Sequence, residues 1–431
     1  MTDRRRFVTS ILQTGATLPM LRASAFSTLF RAEDMVGGRT PSDVAEDEAY
    51  WAQIQMAFDD DHTLVNLNNG GVSPAPTHVL DTMMRDLKFS NQIPVDHMWG
   101  VLEPRIETVR RDLARMFGCD TEEIAITRNA SEANETLILG LDLKRGDEVV
   151  VTNQNYGRML TTWDQRARRE GIVVKQIGFQ VPPPSDDYIV EQFRAAITPR
   201  TRVIEFPHIT NLTGQILPVR QIVQMAREKG IEVFVDGAHA FAQFPFTRDT
   251  LDADYYGTSL HKWLHAPIGT GFLYVRRDRI KRIWPLMAAS ARQDEDIRKF
   301  EEIGTHPAAN HNAISLAVAF NRGIGLERKA ARLRYLRDRW ARRLLAESPR
   351  FNVLTPLDDR QSCAIALVNI EGIDTPKLQQ WLWQRHKVMT VAIVHQDFHG
   401  LRVTPSVYTT LEDVDLFAEL MMKAARSGIA A

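Results

Sequence analysis

Two hydrophobic patterns alternate along this chain. Short apolar runs begin at Ile124 and recur at Asp147–Thr152, Ile172–Ile177, Arg202–Phe206 and Ile231–Val235, each of strand length and bounded by turn residues. Between and before them lie stretches with apolar residues at helical spacing: Thr77–Leu87, Glu103–Phe117, Met159–Glu170 ending at Gly171, and Val219, Ile222, Val223 and Ala226 closed by Gly230 as a C-cap. The repeated β-α-β-α order predicts an α/β fold, a mainly parallel sheet with helices on both faces. A long charged helix is expected over Leu326–Leu345, followed by a smaller domain whose strand Ser362–Val368 carries Cys363 as a buried small residue. Ahead of the sheet, Arg31–Ala45 reads as a polar linker and Glu46–Phe58 as a helix.

Composition narrows this only a little. A chain of 431 residues, 44% hydrophobic and 25% charged, is long enough for two domains and ordinary enough to be globular. With 53 basic against 54 acidic residues, no global field favours nucleic acid or an anionic membrane surface, and no apolar run of spanning length predicts a membrane anchor. Two cysteines, Cys119 and Cys363, cannot build a disulfide framework. The amino terminus says more: Arg4-Arg5-Arg6 stands before Phe7 and Val8, a mildly apolar stretch runs from Ile11 to Leu21, and Ala23-Ser24-Ala25 follows. This has the form of a twin-arginine signal with an A-x-A cleavage site over residues 1–25, so a periplasmic or otherwise exported protein is expected, with a flexible basic tail on a cytoplasmic protein as the alternative.

The chemistry centres on Asp254–Phe272. Lys262 sits there among Tyr256, Leu260, Trp263, Leu264 and Phe272, where desolvation lowers the pKa of an ammonium and makes a nucleophilic amine. Upstream, the run Ile231–Val235 ends at Asp236 and opens into Gly237-Ala238-His239, which aims a carboxylate into the crevice at the carboxyl end of a parallel sheet. A desolvated lysine and a strand-end carboxylate are what pyridoxal phosphate needs, the one to carry its aldehyde as a Schiff base, the other to keep its ring nitrogen protonated. No metal site is expected.

With these residues the sequence resembles the class V aminotransferase family of fold-type I pyridoxal phosphate enzymes, from about Leu64 to about Met422, and within it the isopenicillin N epimerase-like branch, which includes exported enzymes that tailor siderophores such as pyoverdine. The resemblance implies a large domain over 76–325 with a seven-stranded-type sheet, and a smaller α+β domain built from 326–431 with help from 26–75. It assigns the cofactor phosphate to Ala130, Ser131, Ser259 and His261, ring stacking to Tyr156, and phenolic-oxygen contacts to Asn211 and His239. It assigns the substrate carboxylate to Arg402, with Asn69 and Gly70 as further substrate contacts, and Arg158 is a separate candidate for substrate specificity. Thr305 would reach the phosphate of a neighbouring subunit, which implies a homodimer. Tyr156 stands where desulfurases have a histidine, which argues against sulfur transfer. The reaction implied is at Cα of an amino acid, or of a peptide or secondary metabolite containing one. Transamination is expected first; epimerisation or elimination is the alternative, and an inactive cofactor-fold binding protein the reading outside catalysis. His265, His306, His311 and His395 are left without roles.

Overall fold

The computed structural model describes residues 23–429. Most of the expected signal stretch, residues 1–22, lies outside them, and Ala23–Ala25 begin the first described helix, Ala23–Val36. The stretch read as a polar linker is therefore largely helical. Among its described side chains that helix buries Thr28, Leu29 and Ala32, too sparse an apolar stripe to register as a period, and it packs against the helix Glu48–Gln55. A second short helix, Pro41–Ala45, is started by Thr40, whose hydroxyl accepts from the Asp43 amide while the Asp43 carboxylate accepts from the Thr40 amide.

Seven strands form the main sheet: β1 Ile124–Thr127, β2 Glu148–Thr152, β3 Val173–Ile177, β4 Thr201–Pro207, β5 Glu232–Asp236, β6 Tyr255–Ser259 and β7 Gly271–Val275. Their spatial order is β1-β7-β6-β5-β4-β2-β3. All neighbours pair in parallel except those of β7, which runs against both β1 and β6. The central strands β2, β4 and β6 bury nearly every residue on both faces, as the continuous apolar runs require. One core, with Phe117, Phe206, Tyr256 and Phe272, lies on one face; another, with Leu137, Trp163, Val203 and Phe234, lies on the other. The helix Val219–Arg227 stops before Gly230, which takes a left-handed φ of 68° in the turn that follows instead of forming the cap itself.

A second, antiparallel sheet combines β8 Phe351–Val353, β9 Ala366–Ile370, β10 Val391–Val394 and β11 His399–Val403 in the order β10-β11-β9-β8. Its core of Leu336, Trp340, Leu382, Leu401, Phe417 and Met421 is closed by the helices Leu326–Glu347, Thr375–His386 and Leu411–Ser427. Cys363 is buried but precedes β9 instead of lying in it; its thiol faces the Gln243 and Ala330 carbonyls. The short strand Val65–Asn66 pairs in parallel with Val388–Met389, and Asn68 bridges to Thr404, so the amino-terminal segment runs alongside the end of β11.

Candidate active site

The carboxyl ends of β2, β4, β5 and β6 lie side by side because these strands are parallel, with Pro207 in register with Asp236 and Asp236 with Gly257. A cavity of about 200 Å³ opens there, lined by residues from each of these ends and from the helix Ala130–Gly140. Of the residues assigned from sequence, it gathers Ala130, Ser131, Tyr156, Asn211, Asp236, His239, Ser259, His261 and Lys262.

Lys262 follows β6 and places its Nζ 3.0 Å from Nε2 of His239. Burial lowers the lysine pKa to about 8, with the Asp236 carboxylate opposing and the Arg402 charge adding to the fall. His239 is buried and held well below its ordinary range by burial and by the positive charges of Lys262 and Arg402, so it is the neutral acceptor of a lysine N–H. Asp236 is buried; burial raises its pKa, opposed by an Ala238 amide that donates at 2.9 Å, by the charge of Lys262 and by the Asn134 side chain.

The helix Ala130–Gly140 starts at Asn129, whose side chain accepts from the Glu132 amide, and directs its first turn into the cavity. The Ala130 amide donates to Ser259 Oγ at 2.9 Å, which ties the helix start to the end of β6. This close approach depends on two glycines: a Cβ on Gly257 would come within 2.0 Å of Asn134 Oδ1, and one on Gly271 within 2.7 Å of the Asn129 backbone. His261 donates from Nδ1 to the Thr270 carbonyl, which fixes its ring, and burial lowers its pKa to about 4. The Lys262 carrier segment is held from behind. Lys329, buried on the helix Leu326–Glu347, donates to the Trp263 carbonyl and to Asn321 Oδ1, and Asn321 donates to the Leu264 carbonyl at 2.7 Å. The next residue, His265, adopts a left-handed φ of 58° in the buried interior.

Pyridoxal phosphate fits these residues. A helix start with hydroxyls at Ser131 and Ser259 suits its phosphate. Among the described residues the buried Asp236 has no salt-bridge partner, which suits a protonated ring nitrogen. Tyr156, 45% exposed at the head of the helix Gly157–Glu170, has a free ring face for stacking. Among the described residues, Asn211 Oδ1 and His239 Nδ1 are buried without partners in the cavity lining, so both would be free to meet polar substituents of the ring.

Arg402 on β11 stands outside the innermost cavity yet acts on Lys262 and His239 electrostatically. It is 7% exposed, its guanidinium donates to the Asn211 carbonyl at 2.9 Å and to Asn68 Oδ1 at 3.0 Å, its Nε has no partner, and burial lowers its pKa to about 10. Among the described residues no carboxylate pairs with this buried guanidinium, which leaves it fit to receive one. Asn69 is differently placed. Its amide donates to the Asn66 and Thr404 carbonyls, and its oxygen accepts from Tyr408 at 2.6 Å and from Ser73, so it holds the loop and has nothing left for a substrate. Gly70 is likewise tied to Thr404 through its amide, and Gly71, not Gly70, lines the cavity. Arg158 and Thr305 are exposed and lie outside the cavity lining. The unassigned histidines are structural in setting. His395 donates to the Asn153 carbonyl, and His311 is buried with its ring centre 5.0 Å from that of His306. Sequence reasoning missed Asn68, Lys329 and a buried acid on β4, Glu205.

Comparisons with known proteins agree on one family. The aminotransferase class-V family model matches residues 65–417. The chain is 28% identical to isopenicillin N epimerase of Streptomyces clavuligerus, across 86% of this chain and 98% of that protein, and 29% identical to isopenicillin N epimerase of Amycolatopsis lactamdurans, across 87% and 99%. Among solved structures, the cysteine desulfurase CsdA of Escherichia coli superposes with a TM-score of 0.75 at 22% identity, covering 87% of this chain and 98% of the other. The architecture is fold-type I, and the cofactor is pyridoxal phosphate.

Proposed function

We propose that this chain, which belongs to the class V aminotransferase family, acts at Cα of an amino acid, or of a peptide or secondary metabolite containing one, and that its outcome is transamination. The observation that carries the reading is the pairing of Lys262 with His239 at 3.0 Å inside a buried cavity. A lysine poised near pH 8 yields its proton readily, attacks a carbonyl as a free amine, and as a free amine takes a proton from Cα. His239 holds the Nζ in place through its lone pair. Asp236, in the cavity lining, would hold the ring nitrogen protonated, and Arg402 would offer N–H donors to the substrate carboxylate, which would orient the Cα–H bond. Pyridoxal phosphate, when bound, supplies the electron sink that stabilises charge left at Cα.

Lys262 with its His239 neighbour is one base in one place. A proton carried along one face suffices for transamination, whereas epimerisation must deliver it to both faces. Epimerisation stands as the second reading, because the similarity to the two isopenicillin N epimerases spans nearly their whole length. Incubating the loaded enzyme with a panel of amino acids in heavy water separates the two: transamination gives a keto acid, epimerisation gives the opposite enantiomer with deuterium at Cα. If no amino acid changes the cofactor spectrum, the whole reading fails. The proposal includes export through the amino-terminal twin arginines, tested by fractionating cells with and without an Arg4/Arg5 double substitution. It also includes a homodimer in which Thr305, exposed on the loop after Glu302, reaches the partner's phosphate, tested by the mass of the native particle.

A further inference from the structure

We propose that Glu205 is a positioning residue of this site: it holds its own proton, leaves Asp236 as the ionised carboxylate at the cavity, and fixes the loop that presents Tyr156. This rests on the reading of the site given above. Glu205 lies on β4, two residues before Pro207, and Pro207 is in register with Asp236. Side chains alternate along a strand, so Glu205 and Asp236 point to the same face of the sheet. Glu205 is 0% exposed.

Its contacts are one-sided. Oε2 accepts from Asn155 Nδ2 at 2.5 Å and from Trp163 Nε1 at 3.1 Å, while Oε1 has no partner. Its register neighbours, Val151 on β2 and Phe234 on β5, are uncharged. No ion pair among the described residues involves it, and Asp236 is the charged group that acts on it. Two buried carboxylates in electrostatic contact do not both ionise at neutral pH, and the better-supported one takes the charge. Asp236 has the Ala238 amide, the Asn134 side chain and the charge of Lys262; Glu205 has two neutral N–H donors and no cation. The proton therefore stays on Glu205, and burial and the Asp236 charge push its pKa up to about 8.

The same carboxyl grips both flanks of Tyr156. Asn155 immediately precedes Tyr156, and its oxygen in turn accepts from the Thr152 hydroxyl at 2.8 Å and the Thr152 amide at 3.1 Å. Trp163 lies on the helix Gly157–Glu170 that begins just after Tyr156. Glu205 thus couples the Asp236 carboxylate at the cavity to the placement of the Tyr156 ring. An acid in this position looks, in sequence, like one polar residue in a buried strand.

The test uses Glu205→Gln, which keeps an oxygen for both N–H donors but cannot ionise, and Glu205→Leu, which removes the acceptor. Infrared spectra of the cofactor-free protein in heavy water should show the C=O stretch of a protonated carboxylic acid at pH 7, lost as pH rises through about 8 and absent from Glu205→Gln. If Glu205→Gln keeps that band, the proton belongs to another acid and the proposal is overturned. After loading with pyridoxal phosphate, the visible circular dichroism of the cofactor should keep its wild-type sign and size in Glu205→Gln and lose at least half its intensity in Glu205→Leu. Equal intensity in both variants overturns the Tyr156 part. The infrared measurement needs no substrate, so it stands or falls separately from the proposed reaction, which fails only if amino acids leave the loaded wild-type spectrum unchanged.

Discussion

The Lys262 amine and the His239 imidazole meet at 3.0 Å, the histidine buried and the lysine partly so, with the histidine kept neutral so that the lysine is the donor. Two bases in contact share one proton, and burial makes that proton easy to remove from the lysine. In cofactor-free protein, Lys262 should react with an aldehyde or acylating reagent with a midpoint near pH 8 instead of the ordinary 10.5, read by mass spectrometry of the labelled peptide. Labelling that rises only above pH 10 would contradict the poised amine.

Lys262→Ala should remove the covalent attachment of pyridoxal phosphate and all turnover, while the folded protein remains. Borohydride reduction of the loaded wild type should fix the cofactor on Lys262 alone; a reduced adduct on another lysine ends the assignment.

Asp236→Asn should slow turnover by several orders of magnitude, because a neutral amide cannot keep the ring nitrogen protonated. Cofactor should still bind through the helix start at Ala130–Ser131. Near-normal rates in the variant would make the carboxylate structural.

Arg402→Lys should weaken amino-acid binding by about 2 kcal/mol, since lysine cannot make the bidentate fork. Asn68→Ala should show a smaller loss in the same direction, whereas Asn69→Ala should lower thermal stability through its broken loop contacts instead of raising the substrate KM selectively. Titrating the loaded variants with substrate separates the two; equal selectivity from both asparagines would refute the division of labour between them.

Lys329 sets a pH dependence of stability. Burial lowers its folded-state pKa to about 7, against 10.5 in an exposed lysine, with no carboxylate to compensate. Between those values the unfolded chain holds a proton that the folded chain has given up, so stability from this group rises with pH, by about 2 kcal/mol from pH 7 to pH 9. Lys329→Met lacks this slope, and its stability relative to wild type should therefore be greatest at low pH and fall as pH rises. Parallel melting-temperature curves for the two cofactor-free proteins from pH 6 to pH 9 would refute it.

Asp236 is legible in the sequence because it closes the apolar run Ile231–Val235 at the end of a strand, and Lys262 because a lone lysine stands among Tyr256, Leu260, Trp263, Leu264 and Phe272 just after another strand. The sheet is legible for the same reason: β2, β4 and β5 are continuous apolar runs that a parallel, doubly covered sheet demands. Asn68 and Asn69 are not distinguishable by pattern. They are adjacent in one loop, and only the pairing of that loop with Thr404 decides which amide turns inward and which meets Arg402. Lys329 belongs to a helix whose many basic residues read as a solvated face, and its burial becomes visible only once Asn321 and the Trp263 carbonyl are brought to it. Arg31–Val36 reads as polar and not as helical, because within it Ala32 is the one fully buried residue, which leaves too little period to detect.

The contact between Asn68 and Arg402 joins positions 334 residues apart, whereas the cradle for the phosphate and ring is made from the middle of the chain. During synthesis the cradle residues are all available long before Arg402 leaves the ribosome, and the carboxylate fork closes last, when the final strands come back to the amino-terminal loop. The residues that would hold the cofactor therefore precede in the chain the one that would select a carboxylate, and the two are joined only when β11 meets the amino-terminal loop.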